Sequence, residues 1–323
     1  MEYYKVDKTN EEQQKQMYQL YMQAVNEKDM LHELLDFSEF KEKLFWEQEG
    51  LEKITFLESR GKAFATGCMD KKNQKAFVTM VVVEKEERRK GIGRAILQNL
   101  EEVIFKQSGF EVIELSFFNP ITFSWRIPNG KANHPNTPGV DMDSIAYSFF
   151  LACGYKNFAI QNVYYLPLEN YSYSDMLLRK KESLEKEGIT FEVYDDRIHK
   201  NMKEVIEGFG NPMWNRDILS EPPIYEKGRP ILVPVYKGEV CGFTGALDVE
   251  ASGRGYFAGI GIDKKYRQKG MGKVLFAFLC ESLKKQNAKF MTLFTGENNP
   301  ARHIYEEAGF KVVRTFADMR KSK

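Results

Sequence analysis

The chain has 323 residues, 42% hydrophobic and 29% charged, with 47 Lys and Arg against 46 Asp and Glu and a net charge of +1. That length suits about two domains at ~100–200 residues each, and the composition is that of a soluble globular protein. So neutral a balance gives no bulk electrostatic argument for nucleic acid or a membrane surface as partner, and neither is expected. With no apolar run of ~18 residues and no signal-peptide pattern, the expected location is cytoplasmic.

In chain order, 3–6 reads as a strand, and 11–25 as a helix with Met17, Leu20, Tyr21 and Val25 on one face. Residues 54–57 and 63–67 read as strands joined by a turn at Ser59-Arg60-Gly61, and 76–83 as a third. That third run enters Val81-Val82-Val83-Glu84-Lys85-Glu86-Glu87-Arg88-Arg89-Lys90-Gly91-Ile92-Gly93-Arg94. A helix follows, with Ile96, Leu97, Leu100, Val103 and Ile104 at helical spacing, then a strand at 112–117. Residues 119–143 hold Pro120, Pro128, Pro135 and Pro138 and show no clean period. A loop longer than ~12–15 residues inside a domain is functional or disordered; Phe123 and Trp125 favour a docked one, either a cover for a substrate site or a structural flap.

A helix at 144–153 and a strand at 158–166 come next. Ser174 is placed to cap a helix running to Glu187, so 168–188 is expected to connect a first domain, 1–167, to a second, 189–323. The second domain restarts the order: a strand at 190–194, a helix at 197–208, a loop marked by Asn211-Pro212-Met213-Trp214 and Glu221-Pro222-Pro223, and strands at 231–236 and 240–247. Residues 255–262 feed Ile260-Gly261-Ile262-Asp263-Lys264-Lys265-Tyr266-Arg267-Gln268-Lys269-Gly270-Met271-Gly272-Lys273, followed by a helix and a strand at 290–294. The basic end Arg320-Lys321-Ser322-Lys323 reads as a frayed terminus.

A strand that turns through glycines into a helix N-terminus makes an anion site, because free N–H groups and the positive end of the helix dipole face the same point. Gly270 and Gly272 remove the Cβ atoms that would block a diphosphate, and Arg267 and Lys273 add positive charge. One such loop is equally an ordinary turn opening a helix. Here it occurs twice, with Gly91 and Gly270 separated by 179 residues, which points to duplicated domains rather than a solenoid with a period of ~20–50 residues.

Both loops resemble the acyl-CoA-binding loop, Gln/Arg-x-x-Gly-x-Gly/Ala, of the GNAT N-acetyltransferase superfamily. The run Asn298-Asn299-Pro300-Ala301-Arg302-His303-Ile304-Tyr305-Glu306-Glu307-Ala308-Gly309-Phe310 resembles that family's second signature, Asn-x-x-Ala-x-x-x-Tyr-x-x-x-Gly-Phe. The resemblance covers nearly the whole chain and implies an α/β fold of the α+β type: two consecutive domains, each a mixed, mostly antiparallel sheet flanked by helices in the order β-α-β-β-β-α-β. It implies acetyl-CoA held by the loops, a primary amine or peptide N-terminus as acceptor, Asn298 near the pantetheine, and Tyr305 near the sulfur. A tyrosine O–H is a donor at neutral pH, and a leaving thiolate needs one, although Tyr305 alone reads equally as a packed helix residue.

In the first half, aligning Gly154 with Gly309 puts Phe150 under Tyr305 and Asp143 under Asn298; Tyr147 is out of register. Gly91 to Gly154 is 63 residues and Gly270 to Gly309 is 39, and one insertion at 119–143 explains the difference of 24. Both loops are therefore expected to bind acyl-CoA, with chemistry in the second half; catalysis in the first half, or a non-catalytic acyl-CoA-binding module, are the alternatives. A nucleotide-binding loop is the weaker rival, since no Lys-Ser/Thr follows the glycines.

Direct attack needs a base, for which Asp248, Glu250 and Asp263 stand as candidates or as solvated turn carboxylates. Trp125 and Trp214 read as anchors or as substrate platforms. Cys68, Cys153, Cys241 and Cys280 are scattered and expected to be buried thiols, and His32, His134, His199 and His303 are dispersed, so no metal is expected. The expected state is a monomer or homodimer.

Overall fold

The computed structural model describes residues 2–106, 109–128 and 132–323. They divide into two compact units, one of 1–162 with 314–323, the other of 163–313.

In the first unit, β1 (Tyr3–Lys5), β2 (Leu51–Glu58), β3 (Ala63–Asp70) and β4 (Lys75–Val83) form an antiparallel run in sequence order. β5 (Val112–Leu115) joins β4 in parallel, but only at Ala76↔Ile113 and Phe77↔Glu114. Beyond Phe77 no pairing between them is found among the described residues. α1 (Glu11–Asn26), capped by Asn10, and α2 (Phe37–Leu44), closed by a capping box between Asp36 and Glu39, cover one face. The sequence reading passed over α2, whose eight residues hold only Phe40 and Leu44 as buried anchors. α3 (Ile92–Lys106) covers the other face through Ile92, Ile96, Leu97, Leu100 and Ile104.

α4 (Ile145–Ala152) and β6 (Lys156–Pro167) follow. Between β5 and α4, residues 119–143 are docked, with 129–131 outside the described residues. Trp125 is 0% exposed, donates Nε1–H to the Asn136 carbonyl at 3.1 Å, and pairs with His134 across a short antiparallel bridge. Ile121 and Phe123 enter the core under α1 and α2.

In the second unit, α5 (Asp175–Lys186) begins at Ser174, whose Oγ accepts from the Leu177 N–H. Residues 168–188, expected as a connector, lie in this unit. β7 (Ile189–Val193), β8 (Ile231–Tyr236), β9 (Gly242–Gly245) and β11 (Gly259–Ile262) form an antiparallel sheet in that order; β10 (Arg254–Gly255) lies between β9 and β11 in sequence and pairs elsewhere. α6 (Met202–Gly208) is shorter than expected, and α7 (Pro212–Ile218) occupies a stretch read as loop. The reason is that Pro212 sits at the first helical position, where a missing N–H costs nothing, and Asn211 caps the helix by accepting from the Met213 N–H. α8 (Met271–Lys285), β12 (Phe290–Gly296) and α9 (Arg302–Glu307) complete the unit.

The last strand, β13 (Lys311–Ser322), corrects two expectations. Its residues from 314 on belong to the first unit, where Met319, Arg320, Lys321 and Ser322 pair antiparallel with Leu115, Glu114, Ile113 and Val112. The basic end is therefore an ordered strand through Ser322, with Lys321 Nζ 2.7 Å from the buried Glu101 carboxylate.

Candidate functional site

Both glycine loops fold alike, residue by residue. A short 3-10 turn, Lys85–Glu87 in one unit and Lys264–Tyr266 in the other, follows the strand. Arg88 then turns back to donate Nε–H to the Val83 carbonyl at 3.0 Å, as Arg267 does to the Ile262 carbonyl at 2.9 Å. Arg89 and Gln268 take left-handed φ values of 65° and 69°, and Gly91 and Gly270 of 83° and 75°. For the non-glycine pair such values are unusual, so two independent copies of the same strained turn argue a shared purpose.

At the second loop, the N–H groups of Gln268, Lys269, Gly270, Met271 and Gly272 have no protein partner among the described residues. They stand at the N-terminus of a 15-residue helix. This loop opens on a cleft of about 1270 Å³, lined by Ile260, Gly261, Ile262, 266–273, α5, α7 and the start of α9. Lys269 pairs with Glu187 and Lys273 with Glu307, whereas the outer nitrogens of Arg267 meet no carboxylate among the described residues.

The strand before the loop forks. Arg254 and Gly255 pair in parallel with Phe290 and Met291 of β12, but Gly259–Ile262 pairs with β9 instead. The other edge of β11 has no strand partner among the described residues. A residue's N–H and C=O point to the same side of a strand. Since the Ile262 carbonyl accepts from Arg267 rather than from β9, the Ile262 N–H, and by alternation that of Ile260, faces this open edge. Phe257 sits at the fork.

Tyr305 packs beneath it. Its ring lies 5.9 Å from Phe257, 5.0 Å from Phe276 and 6.0 Å from Tyr164, and the residue is 6% exposed. Burial, with Tyr164 adding to it, pushes its phenol up to about 12, so the hydroxyl stays protonated. No hydrogen bond of that hydroxyl is found among the described residues. Asn298 is exposed and off the cleft wall; its neighbour Asn299 lines the cleft, donates to Thr295 Oγ1 at 2.9 Å and accepts from the Ala301 N–H.

The three candidate bases are engaged elsewhere: Asp248 with Arg229, Glu250 with Arg254, and Asp263 as acceptor for the Lys265 N–H. Trp214, read from the sequence as an anchor or a substrate platform, forms the cleft's other wall together with Phe209, which the sequence reading did not single out. The two rings, at the end of α6 and in α7, cross at 5.4 Å and 90°. They press on β11 so closely that a Cβ on Gly259 or Gly261 would stand 2.7 Å from one of their rings.

The first loop differs in its surroundings. Arg88 is paired with Asp29 at 2.6 Å and Lys90 with Glu87 at 3.1 Å, and Arg94 donates to the Ala152 carbonyl. Phe149 stands 3.2 Å from where a Cβ on Gly93 would lie. Val81 and Val83 are half-buried and Val82 is buried in the α1 core. Phe150, aligned with Tyr305, is buried against Phe149 and Tyr155, and Tyr147 receives a hydrogen bond from Asn157. Cys68, Cys241 and Cys280 are buried and Cys153 half-buried, all free. No group of three or more metal-ligating side chains occurs among the described residues, and among them no helix is long and apolar enough to cross a membrane.

Comparison with known proteins finds the same duplication. The model of the acetyltransferase (GNAT) family matches at 14–123 and again at 201–310, each segment holding one glycine loop. No curated protein matches the chain. Three similar solved structures are a GCN5-related glucosamine N-acetyltransferase region of a fungal multi-domain GH3 beta-N-acetylglucosaminidase, a GCN5-related N-acetyltransferase from Sphaerobacter thermophilus, and a tandem GNAT protein from the clavulanic acid biosynthesis pathway. The first is 16% identical with a TM-score of 0.68 over 99% of this chain, which spans only 38% of that protein. The second is 16% identical at 0.63, covering 99% of this chain and 95% of its own, and the third 14% identical at 0.58, covering 99% and 98%. At such identities these likenesses speak for the fold alone. With two family segments spanning most of the sequence, each built around the same turn, the chain belongs to the GNAT acetyltransferase family and carries two of its domains in tandem.

Proposed function

We propose that this protein transfers an acetyl or related acyl group from acyl-CoA to an amine, and that the second unit does the chemistry. The observation that carries this reading is the second loop: five N–H groups at a helix N-terminus with no partner among the described residues, opening on a large cleft beside an edge of β11 that no described strand covers. That arrangement fits a diphosphate with an extended arm, because the loop offers donors and positive charge and the strand edge offers a ladder.

Arg267, Gly270, Gly272 and Lys273 hold the diphosphate in this reading, and the Ile260 and Ile262 N–H groups hold the arm and polarise the acyl carbonyl. Bound acetyl-CoA supplies a thioester, from which the acyl carbon passes to the acceptor nitrogen as the C–N bond forms and the C–S bond breaks. Tyr305 keeps a proton at Oη beside the fork, available to the leaving sulfur. Among the described residues Glu307 is the one carboxylate on the cleft wall and is paired with Lys273, so the acceptor's proton leaves through water. The acceptor is a small primary amine or a peptide N-terminus.

Calorimetric titration with acetyl-CoA, followed by thiol detection over an amine panel, tests this reading. One equivalent bound, lost in Gly270→Ala and kept in Gly91→Ala, supports it. No heat with CoA or any acyl-CoA sinks it. Binding without thiol release on any amine favours a non-catalytic binding module.

A further inference from the structure

α5 lies outside both family-matched segments, at Asp175–Lys186, yet it forms one wall of the cleft. Arg179 and Lys180 both line that wall. Neither has a carboxylate partner among the described residues, although Lys181, next along the helix, pairs with Glu185. Lys180 reaches over the glycine turn itself: its Cε lies 2.7 Å from the point where a Cβ on Gly270 would stand. At the first loop the equivalent point, on Gly91, meets nothing within 4 Å. Among the described residues the two turns thus share a backbone but not this pair of cations.

Two cations on a cleft wall with no carboxylate partner among the described residues add positive potential to the cleft, which favours an anion there. The turn's N–H groups and Arg267, whose outer nitrogens meet no carboxylate among the described residues, already face a diphosphate. Arg179 and Lys180 therefore answer to further negative charge on the same ligand. We propose that α5 supplies a separate phosphate subsite, in which Arg179 and Lys180 hold the ribose 3′-phosphate of CoA. This rests on the reading of the cleft as a CoA site and adds to it that the second unit distinguishes CoA from its 3′-dephospho form. It also implies that the second unit would hold the nucleotide more firmly than the first, since α5 brings to its turn charges that the described surroundings of Gly91 do not.

The test is calorimetry on the full chain with CoA and with 3′-dephospho-CoA. Charge-assisted contacts of this kind predict that the wild type binds CoA at least ~10-fold tighter. In the Arg179→Gln/Lys180→Gln double variant the ratio should fall to within about 2-fold of one, with dephospho-CoA affinity unchanged. Both side chains are exposed or half-exposed on the helix surface, so the fold tolerates the change. Lys181→Gln removes the same charge from the same helix and should leave the ratio as it is. Equal affinities in the wild type, a ratio that survives the double variant, or a ratio that falls as far in Lys181→Gln would each overturn the subsite while leaving the CoA reading in place. A wild type that binds neither ligand overturns both.

Discussion

Tyr305 shows how burial and chemistry can share one side chain. Its ring is core, wedged among Phe257, Phe276 and Phe310, with Phe257 lying in the stretch where β10 and β11 part company, while its hydroxyl makes no hydrogen bond among the described residues. Removing only the oxygen should spare the packing. Tyr305→Phe is expected to keep its melting temperature and acetyl-CoA affinity, and to lose about 10²–10³-fold in turnover, the range of a positioned acid. A loss of only a few-fold, measured by thiol release, would return Tyr305 to a packing role.

Asp318 is another buried residue with an unusual titration. It is 0% exposed in the first unit, accepting from Gln161 Nε2–H at 2.8 Å and from the Phe117 N–H at 3.3 Å. Burial raises its carboxyl to about 6, outweighing the two donors; Glu114 adds to the rise and Lys75 opposes it. An unfolded aspartate titrates at about 3.9. Between those values the folded chain holds a proton that the unfolded chain has released, so this group's stabilisation is complete below about pH 4 and declines as pH rises to about 6. Melting Asp318→Asn beside the wild type from pH 4.5 to 7.5 should show the variant gaining on the wild type up to about pH 6 and levelling off above it; a constant offset over the whole range would mean that Asp318 does not titrate in that window.

At the scale of elements, α5 depends on its cap. Ser174 accepts from the Leu177 N–H at 3.3 Å, and Leu177 and Leu184 anchor the helix to the core. Ser174→Ala should cost the helix about 1 kcal/mol. Amide exchange in α5 is then expected to rise about 5-fold, with α8 unchanged; an unaltered α5 would show that packing alone sets its stability. This cap was legible in the sequence because a serine before a periodic apolar run carries its own signal. So were the glycine turns, whose strand, turn and helix are contiguous. α7 was not, since Asn211-Pro212 opens a helix as readily as it marks a loop. Arg179 and Lys180 were not either: they lie about 90 residues before Gly270, and only the packing of α5 against α8 brings them to the turn.

For the whole molecule, the least legible feature is the destination of the C-terminus. Nothing local in 314–322 says that its partner is Val112–Leu115, some two hundred residues earlier. Without it β5 would carry an unpaired edge, which sheets avoid. The strand also brings Phe316, Ala317 and Met319 into the core, and full burial of a Phe or Met contributes about 1.5–3 kcal/mol. Arg314 grips Asp141 through Nε and Nη2 at 2.8 and 2.7 Å and reaches Asp143, which ties down the end of the 119–143 segment. Lys321 neutralises Glu101, a carboxylate only 5% exposed, and removing one partner of a buried pair costs about 3–5 kcal/mol. Together these losses rival the ~5–15 kcal/mol margin of a typical domain. A chain ending at Val313 should therefore lose amide protection throughout α3 and β4, whereas a chain ending at Ser322, which keeps every pairing with β5, should match the full protein. Retained protection of α3 in the shorter chain would show that the first unit closes its sheet without the strand the C-terminus lends it.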